Sequence, residues 1–129
     1  SQQLQPIAAQ NAASIASDIA INIAGALVAI GSILPALRAN GRGSVLLSGG
    51  GLGKQPSADL LTSSVGKAAI DAIACALFEA LRAQGIHVAV ATVSTLVAAD
   101  SRESREVAAR FWQLYETPRD AWLGESAHP

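Results

Sequence analysis

Three polar side chains stand where the local sequence could aim them at a ligand. Ser48 ends the apolar run Val45-Leu46-Leu47 and precedes Gly49-Gly50-Gly51, Lys67 lies in the first half of a long helical pattern, and Asn22 sits in an otherwise apolar helix. A hydroxyl, an ammonium and a carboxamide can together hydrogen-bond an oxygen-bearing substrate and steady developing negative charge, but none is a strong proton donor. Each has a plain structural reading beside the chemical one. Lys67 could be a solvated surface lysine, Ser48 could bond backbone at a strand end, and Asn22, if buried, must find a packing or interface partner. His87 opens an apolar run and His128 lies near the end of the sequence; neither takes a role, and no His, Cys, Asp or Glu constellation has metal-ligand spacing.

The glycine cluster Gly49 to Gly53 invites comparison with phosphate-binding loops and fails it. Ser48 stands where a P-loop has its first glycine, and Gln55 follows Lys54 where that loop needs a hydroxyl. Gly49 and Gly51 open the dinucleotide spacing, but Lys54 takes the third glycine's place, and Pro56, Ser57 and Asp59 delay the next helix. A loop bordering a ligand at the carboxyl end of a strand is the better reading, because open α/β sheets bind ligands there.

The elements that must position these residues form one strand-helix-strand unit between Ser44 and Val93. Val45 to Leu47, bracketed by Gly43 and Gly49, read as a short buried strand. Leu61, Val65, Ala69, Ile73, Ala76, Leu77, Ala80 and Leu81 recur at three- and four-residue steps and predict one face of a helix. Gly85 ends it, and Ile86 to Val93, rich in β-branched residues, predicts a second strand. Such a unit makes a parallel sheet, so the expected class is α/β: a partial Rossmann-like, doubly wound sheet in a helix-rich chain.

The blocks Ser44-Val45-Leu46-Leu47-Ser48-Gly49-Gly50-Gly51, Ser63-Ser64-Val65-Gly66-Lys67-Ala68-Ala69-Ile70 and Gly85-Ile86-His87-Val88 resemble, in order and spacing, the second half of a short-chain dehydrogenase/reductase. Asp18 to Ala26 is similar to that family's helix with a structural asparagine followed by glycine. The resemblance implies a single domain over residues 1–129 corresponding to the family's C-terminal half: a polar lead-in over 1–17, a family-like core over 18–97, and a C-terminal helix and tail over 98–129. It implies NAD or NADP as cofactor, with Lys67 on the nicotinamide ribose and Val93, Ser94 and Thr95 in the turn beside it. It also implies catalytic roles for Ser48, with Gly49 the alternative alignment, for Lys67 and for Asn22 as holder of a proton-relay water. The family's tyrosine acid falls on Ser63, four residues before Lys67. An alkyl hydroxyl is a far weaker acid than a phenol, whose pKa is about 10, and is shorter, so that replacement removes the proton donor. The family's Pro-Gly pair falls on Val93 and Ser94, and its N-terminal glycine fingerprint has no counterpart here. The chain is also similar to a bacterial subgroup of that family with a triple-glycine strand end, a Gly-Lys-Ala helix and a Pro-Arg-x-x-Trp tail, a likeness that implies the missing tyrosine as a subgroup trait.

Composition narrows the partners. The chain has 129 residues and a formal net charge of −1, with nine basic and ten acidic residues, which gives no footprint for nucleic acid and no polybasic membrane patch. The single cysteine, Cys75, points to a reducing, cytoplasmic setting, and its place among alanines predicts a buried thiol. The uncharged run Ile19 to Leu37 approaches the length of a transmembrane helix. Asn22, Gly25, Gly31, Ser32 and Pro35 interrupt it, and aromatic belts are missing, so the expectation is a helix buried on two sides. Ile15, Ile19, Ile23, Leu27, Ile30, Leu34 and Leu37 form its stripe. Self-association through the 15–37 and 61–81 helices is therefore expected, as in the resembling family, where the two equivalent helices form a four-helix bundle. After Val97, Asp100 to Glu106 predicts a capped helix with an apolar stripe through Val107, Ala108, Phe111, Leu114 and Tyr115; Trp112 and Trp122 form an aromatic wall or pack the tail.

Two functions follow. One is an atypical NAD(P)-dependent oxidoreductase, incomplete as this chain alone, whose cofactor-binding half is cleaved or supplied separately. The alternative is a non-catalytic dimerisation or binding module derived from the same fold.

Overall fold

The computed structural model describes residues 10–94 and 97–128, the last four by backbone only. Asn11 caps the first helix, its side chain accepting from the Ser14 amide at 2.8 Å. That helix, α1 (Ala12–Ile19), passes through a π-helical turn (Ala20–Ala24) into α2 (Gly25–Asn40). Helix thus begins near Asn11, as the sequence leads one to expect, and Gln10 is tied to it through the Asp18 carboxylate at 2.8 Å. Gly41, at φ 72°, ends α2 and leads to β1 (Gly43–Gly50). Two short 3₁₀ turns (Gly51–Gly53 and Ala58–Leu60) precede α3 (Leu61–Arg82), and Gly85, at φ 81°, connects it to β2 (Ile86–Val93). A side chain on Gly85 would collide with the Gly41 carbonyl, so the two glycine turns pack together at the amino end of the sheet.

β1 and β2 pair in parallel from Gly43 opposite Ile86 to Gly50 opposite Val93. A third parallel strand, β3 (Glu125–His128), joins β2 from Val90 opposite Glu125. It was not foreseen: Glu-Ser-Ala-His carries no β-branched or alternating signal, and the neighbouring strand alone makes it a strand. α4 (Arg102–Glu116) starts on a Ser101 cap that accepts from the Ser104 amide at 3.1 Å.

The alternation of the strands sorts the core into two layers. Val45, Ile86, Val88 and Val90 face Ile30, Ile70, Ala74 and Leu81 of α2 and α3. Ala89 and Ala91, with Leu46, face Phe111 and Leu114 of α4. The long apolar helix is mostly exposed, contrary to the expected burial on two sides. Ile30, Leu34 and Leu37 meet the core, whereas Ile19, Ile21, Leu27 and Val28 are exposed. The π-helical turn shifts the phase, so the stripe expected from Ile15 to Leu37 splits. The stripe expected on α3 holds at Ile73, Leu77 and Leu81, which pack in the core, and is corrected at its start: Leu61 and Val65 face outward, while Ser63, Ser64, Gly66, Ile70 and Ala74 are buried. Cys75 is exposed, contrary to the expected buried thiol, because it stands one position off that stripe. Ala12–Asn40 and Ala58–Arg82 are long and apolar enough to cross a membrane by length and composition; 6% and 28% of their apolar windows are buried.

The tail packs by aromatic stacking. Trp122 lies on buried His87 with ring centroids 4.7 Å apart, and His87 Nε2 is 2.9 Å from the Leu123 carbonyl. Trp112 stays exposed on α4, against Tyr115, so the two tryptophans form no common wall.

Candidate functional site at the carboxyl end of the sheet

The chain leaves β1 at Gly50 and turns beneath the first half of α3. The stem of Lys67 lies across this point: a Cβ on Gly50 would be 3.1 Å from both Lys67 Cδ and Cε. Gly51 adjoins Ser94 just after β2, where a Cβ would be 3.5 Å from Ser94 Oγ. Because Gly50 pairs with Val93, the Lys67 side chain and the Val93–Ser94 backbone meet at one end of the sheet. Thr95 lies outside the described residues.

Asn22 packs on α3 from another element. It sits in the π-helical turn, and a Cβ on Gly66 would approach Asn22 Cβ to 2.9 Å. Gly66 is thus small because the turn carrying Asn22 presses against α3 one residue before Lys67. π-turns concentrate at functional sites, since they re-aim one side chain without ending the helix.

Ser63 is buried at 2% exposure one helical turn before Lys67, on the stripe that faces the sheet. Ser64, at 1%, donates to the Leu60 carbonyl at 2.8 Å and accepts from the Ser57 amide at 3.0 Å, which ties down the entry to α3. Ser48 is not brought to Lys67. Ser48 is exposed and lies two residues short of the end of β1, on the Leu46 side, whereas the Lys67 stem crosses the strand at its end. The position that meets Lys67 is Gly50. Tyr115 is exposed on α4, across the sheet from Lys67.

Three residues at this end were not singled out in sequence. Lys54 pairs with Asp71 at 3.2 Å, and Thr92 is buried at 3% beside Gly49 and Asp71, as the contacts of a Cβ built on Gly49 show. Asp71 follows Lys67 by one turn of helix, and that spacing was its available signal. Among the described residues no group of His, Cys, Asp or Glu could hold a metal. The glycine cluster is used for close approach to α3: a Cβ on Gly53 would lie 2.9 Å from the Lys67 carbonyl carbon and 2.9 Å from Asp71 Oδ2.

No protein-family model and no curated protein matches this chain. Solved structures do match. The chain is similar to a short-chain dehydrogenase from Rhodopseudomonas palustris at 20% identity and TM-score 0.87, over 100% of this chain and 57% of that one. It is similar to a metagenomic short-chain oxidoreductase in complex with NADP at 21% identity and TM-score 0.84, over 96% and 55% of the two chains. It is similar to serine dehydrogenase from Escherichia coli at 17% identity and TM-score 0.84, over 97% and 56%. The fold is therefore a partial short-chain dehydrogenase fold, and this chain spans little more than half the length of those structures.

Proposed function

We propose that this chain carries the ribose-and-nicotinamide side of an atypical NAD(P)-dependent oxidoreductase of the short-chain dehydrogenase type, and is incomplete as this chain alone. The observation that supports this most is the Lys67 side chain laid across side-chain-free Gly50 at the carboxyl end of β1, the end where open α/β sheets hold ligands. The residues present suit the cofactor there. Gly50 and Gly51 leave the strand end bare, and Lys67 has no described carboxylate as partner. Lys67 would hold the nicotinamide ribose, with Val93, Ser94 and Thr95 as the adjoining turn, and the bound cofactor would supply hydride. Adenine and pyrophosphate contacts would come from a further segment, cleaved or separate.

The proton side of the reaction departs from the family scheme. Ser63 occupies the tyrosine's place with an alkyl hydroxyl, buried and short, so it supplies no acid of phenolic strength. Gly50, not Ser48, is the position beneath Lys67, which leaves the substrate oxygen without that serine. Lys67 and Asn22 are the two polar side chains retained at this end. Glycine at 50 and buried serine at 63 are also what favours the second reading, a binding or assembly module without catalysis.

NADPH titration followed by fluorescence separates the two. Binding by the wild-type chain, lost in Lys67→Ala, is the expected result; no binding even at millimolar NADPH would sink the enzymatic reading of this chain on its own. Self-association belongs to either reading. Ile21, Leu27, Val28 and Val65 are each more than half exposed, and a second copy packing its own α1–α2 and α3 on them would cover them. Val28→Arg should convert an oligomer to monomer in sedimentation; an unchanged mass would move the interface elsewhere. A cytoplasmic setting suits the exposed lone thiol of Cys75.

A further inference from the structure

We infer that the Lys54–Asp71 ion pair is a latch that fixes the glycine turn beneath α3 and so sets the position of the Lys67 side chain. Asp71 is on this view a positioning residue, and its chemical consequence rests on the cofactor reading of Lys67.

The turn after β1 touches two consecutive turns of α3. Gly50 underlies the Lys67 stem, and Gly53 fits against the Lys67 carbonyl and Asp71 Oδ2 with no room for a side chain. The turn closes on itself through the Lys54 and Gln55 amides, which donate to the Gly51 carbonyl at 3.0 and 2.9 Å. Lys54 then reaches back to Asp71 at 3.2 Å, one helical turn past Lys67. The chain thus leaves the strand, passes under the lysine and is tied on its far side.

This pair differs from the other ion pairs on the surface. The Asp71 side chain is 20% exposed, and its Oδ1 is sealed from water without a hydrogen-bond partner among the described residues. A half-desolvated carboxylate needs a countercharge, so removing Lys54 leaves a penalty that exposed carboxylates escape. Lys54, 45% exposed, is partly screened, which keeps the latch modest. Loosening it frees Gly50 to Gly53 from α3, and the Lys67 stem then loses the surface it rests on.

The test uses the fact that Lys54 and Lys67 are the only lysines in the chain. Lysine acylation, mapped by peptide mass, therefore reports Lys67 directly. In Asp71→Asn and in Lys54→Met the Lys67 acylation rate should rise about fivefold, the size an ion pair worth near the upper end of partly exposed pairs allows. The charge-swapped double variant Lys54→Asp, Asp71→Lys should return it toward the wild-type rate. Arg102→Met, which breaks the exposed pair to Glu106 on α4, should leave it unchanged. An unchanged Lys67 rate in Asp71→Asn overturns the latch. So does a rise in Arg102→Met equal to that in Asp71→Asn, which would mean general loosening. Protection of Lys67 by NADPH is read separately in the wild type: its absence counts against the cofactor reading, while the variants still decide the latch.

Discussion

The two halves of α3 are held to the sheet by different means. Over its last turns the helix buries Ala74 and Leu81 against Val88, Val90 and Ile86, an apolar contact that excludes water. Over its first turns the buried positions are Ser63, Ser64 and Gly66, and little apolar area is removed from water there. Close approach takes its place. Gly66 admits the turn carrying Asn22, and Gly50 and Gly53 admit the chain beneath Lys67. The C-terminal half supplies stability, and the N-terminal half spends apolar packing to keep polar groups at the strand ends.

That contrast is broken most easily in the apolar half. Leu81 is 2% exposed and belongs to the larger core cluster, so Leu81→Ala should lower unfolding free energy by about 2–5 kcal/mol in a denaturant titration. A loss below about 1 kcal/mol would mean that the site is soft enough to collapse around the deletion, or that this half is not the anchor.

Gly66→Ala sharpens the polar half, because two effects oppose each other there. Alanine gains about 1 kcal/mol of helix propensity over glycine, while overpacking costs about 1–3 kcal/mol. The added methyl would meet Asn22 Cβ at 2.9 Å, an atom anchored to backbone that cannot swing aside. Overpacking should win by about 1 kcal/mol. A stabilised Gly66→Ala protein would show that the π-helical turn is not pressed against α3.

Much of the scaffold was legible because it rests on local signals. Ile86 to Val93 declared a strand by its β-branched run, Gly85 marked the end of α3, and Asp100 to Glu106 marked a helix start. The α3 stripe was misread for a physical reason. Hydropathy selects Leu61 and Val65 as the inner face, but the fold turns the serine and glycine positions inward and leaves those two exposed. A polar site violates the periodicity that locates it. Which side of β1 carries Ser48 depended on register, and a shift of one residue exchanges the faces. The third strand is a contact between segments far apart in sequence, with no signal in composition or spacing, and the spacing that marked Asp71 pointed to Lys67 and gave no hint of its partner Lys54.

The smallest effect tests the same helix at neighbouring positions. Ala74 is 3% exposed against the sheet, whereas Cys75 is exposed at the rim of a cleft of about 560 Å³ between α3 and Gly124. A Ser hydroxyl at 75 stays in water, so Cys75→Ser should change stability by less than about 0.5 kcal/mol. At 74 the same hydroxyl would be taken from water among apolar neighbours, where Ala74→Ser should cost about 1–3 kcal/mol unless it bonds back to a helix carbonyl. Thiol titration of the native protein gives the direct check. Cys75 should react at a rate near that of the unfolded chain; a thiol silent until denaturation would mean that another subunit or segment covers the cleft, and the exposed face of α3 would then be an interface.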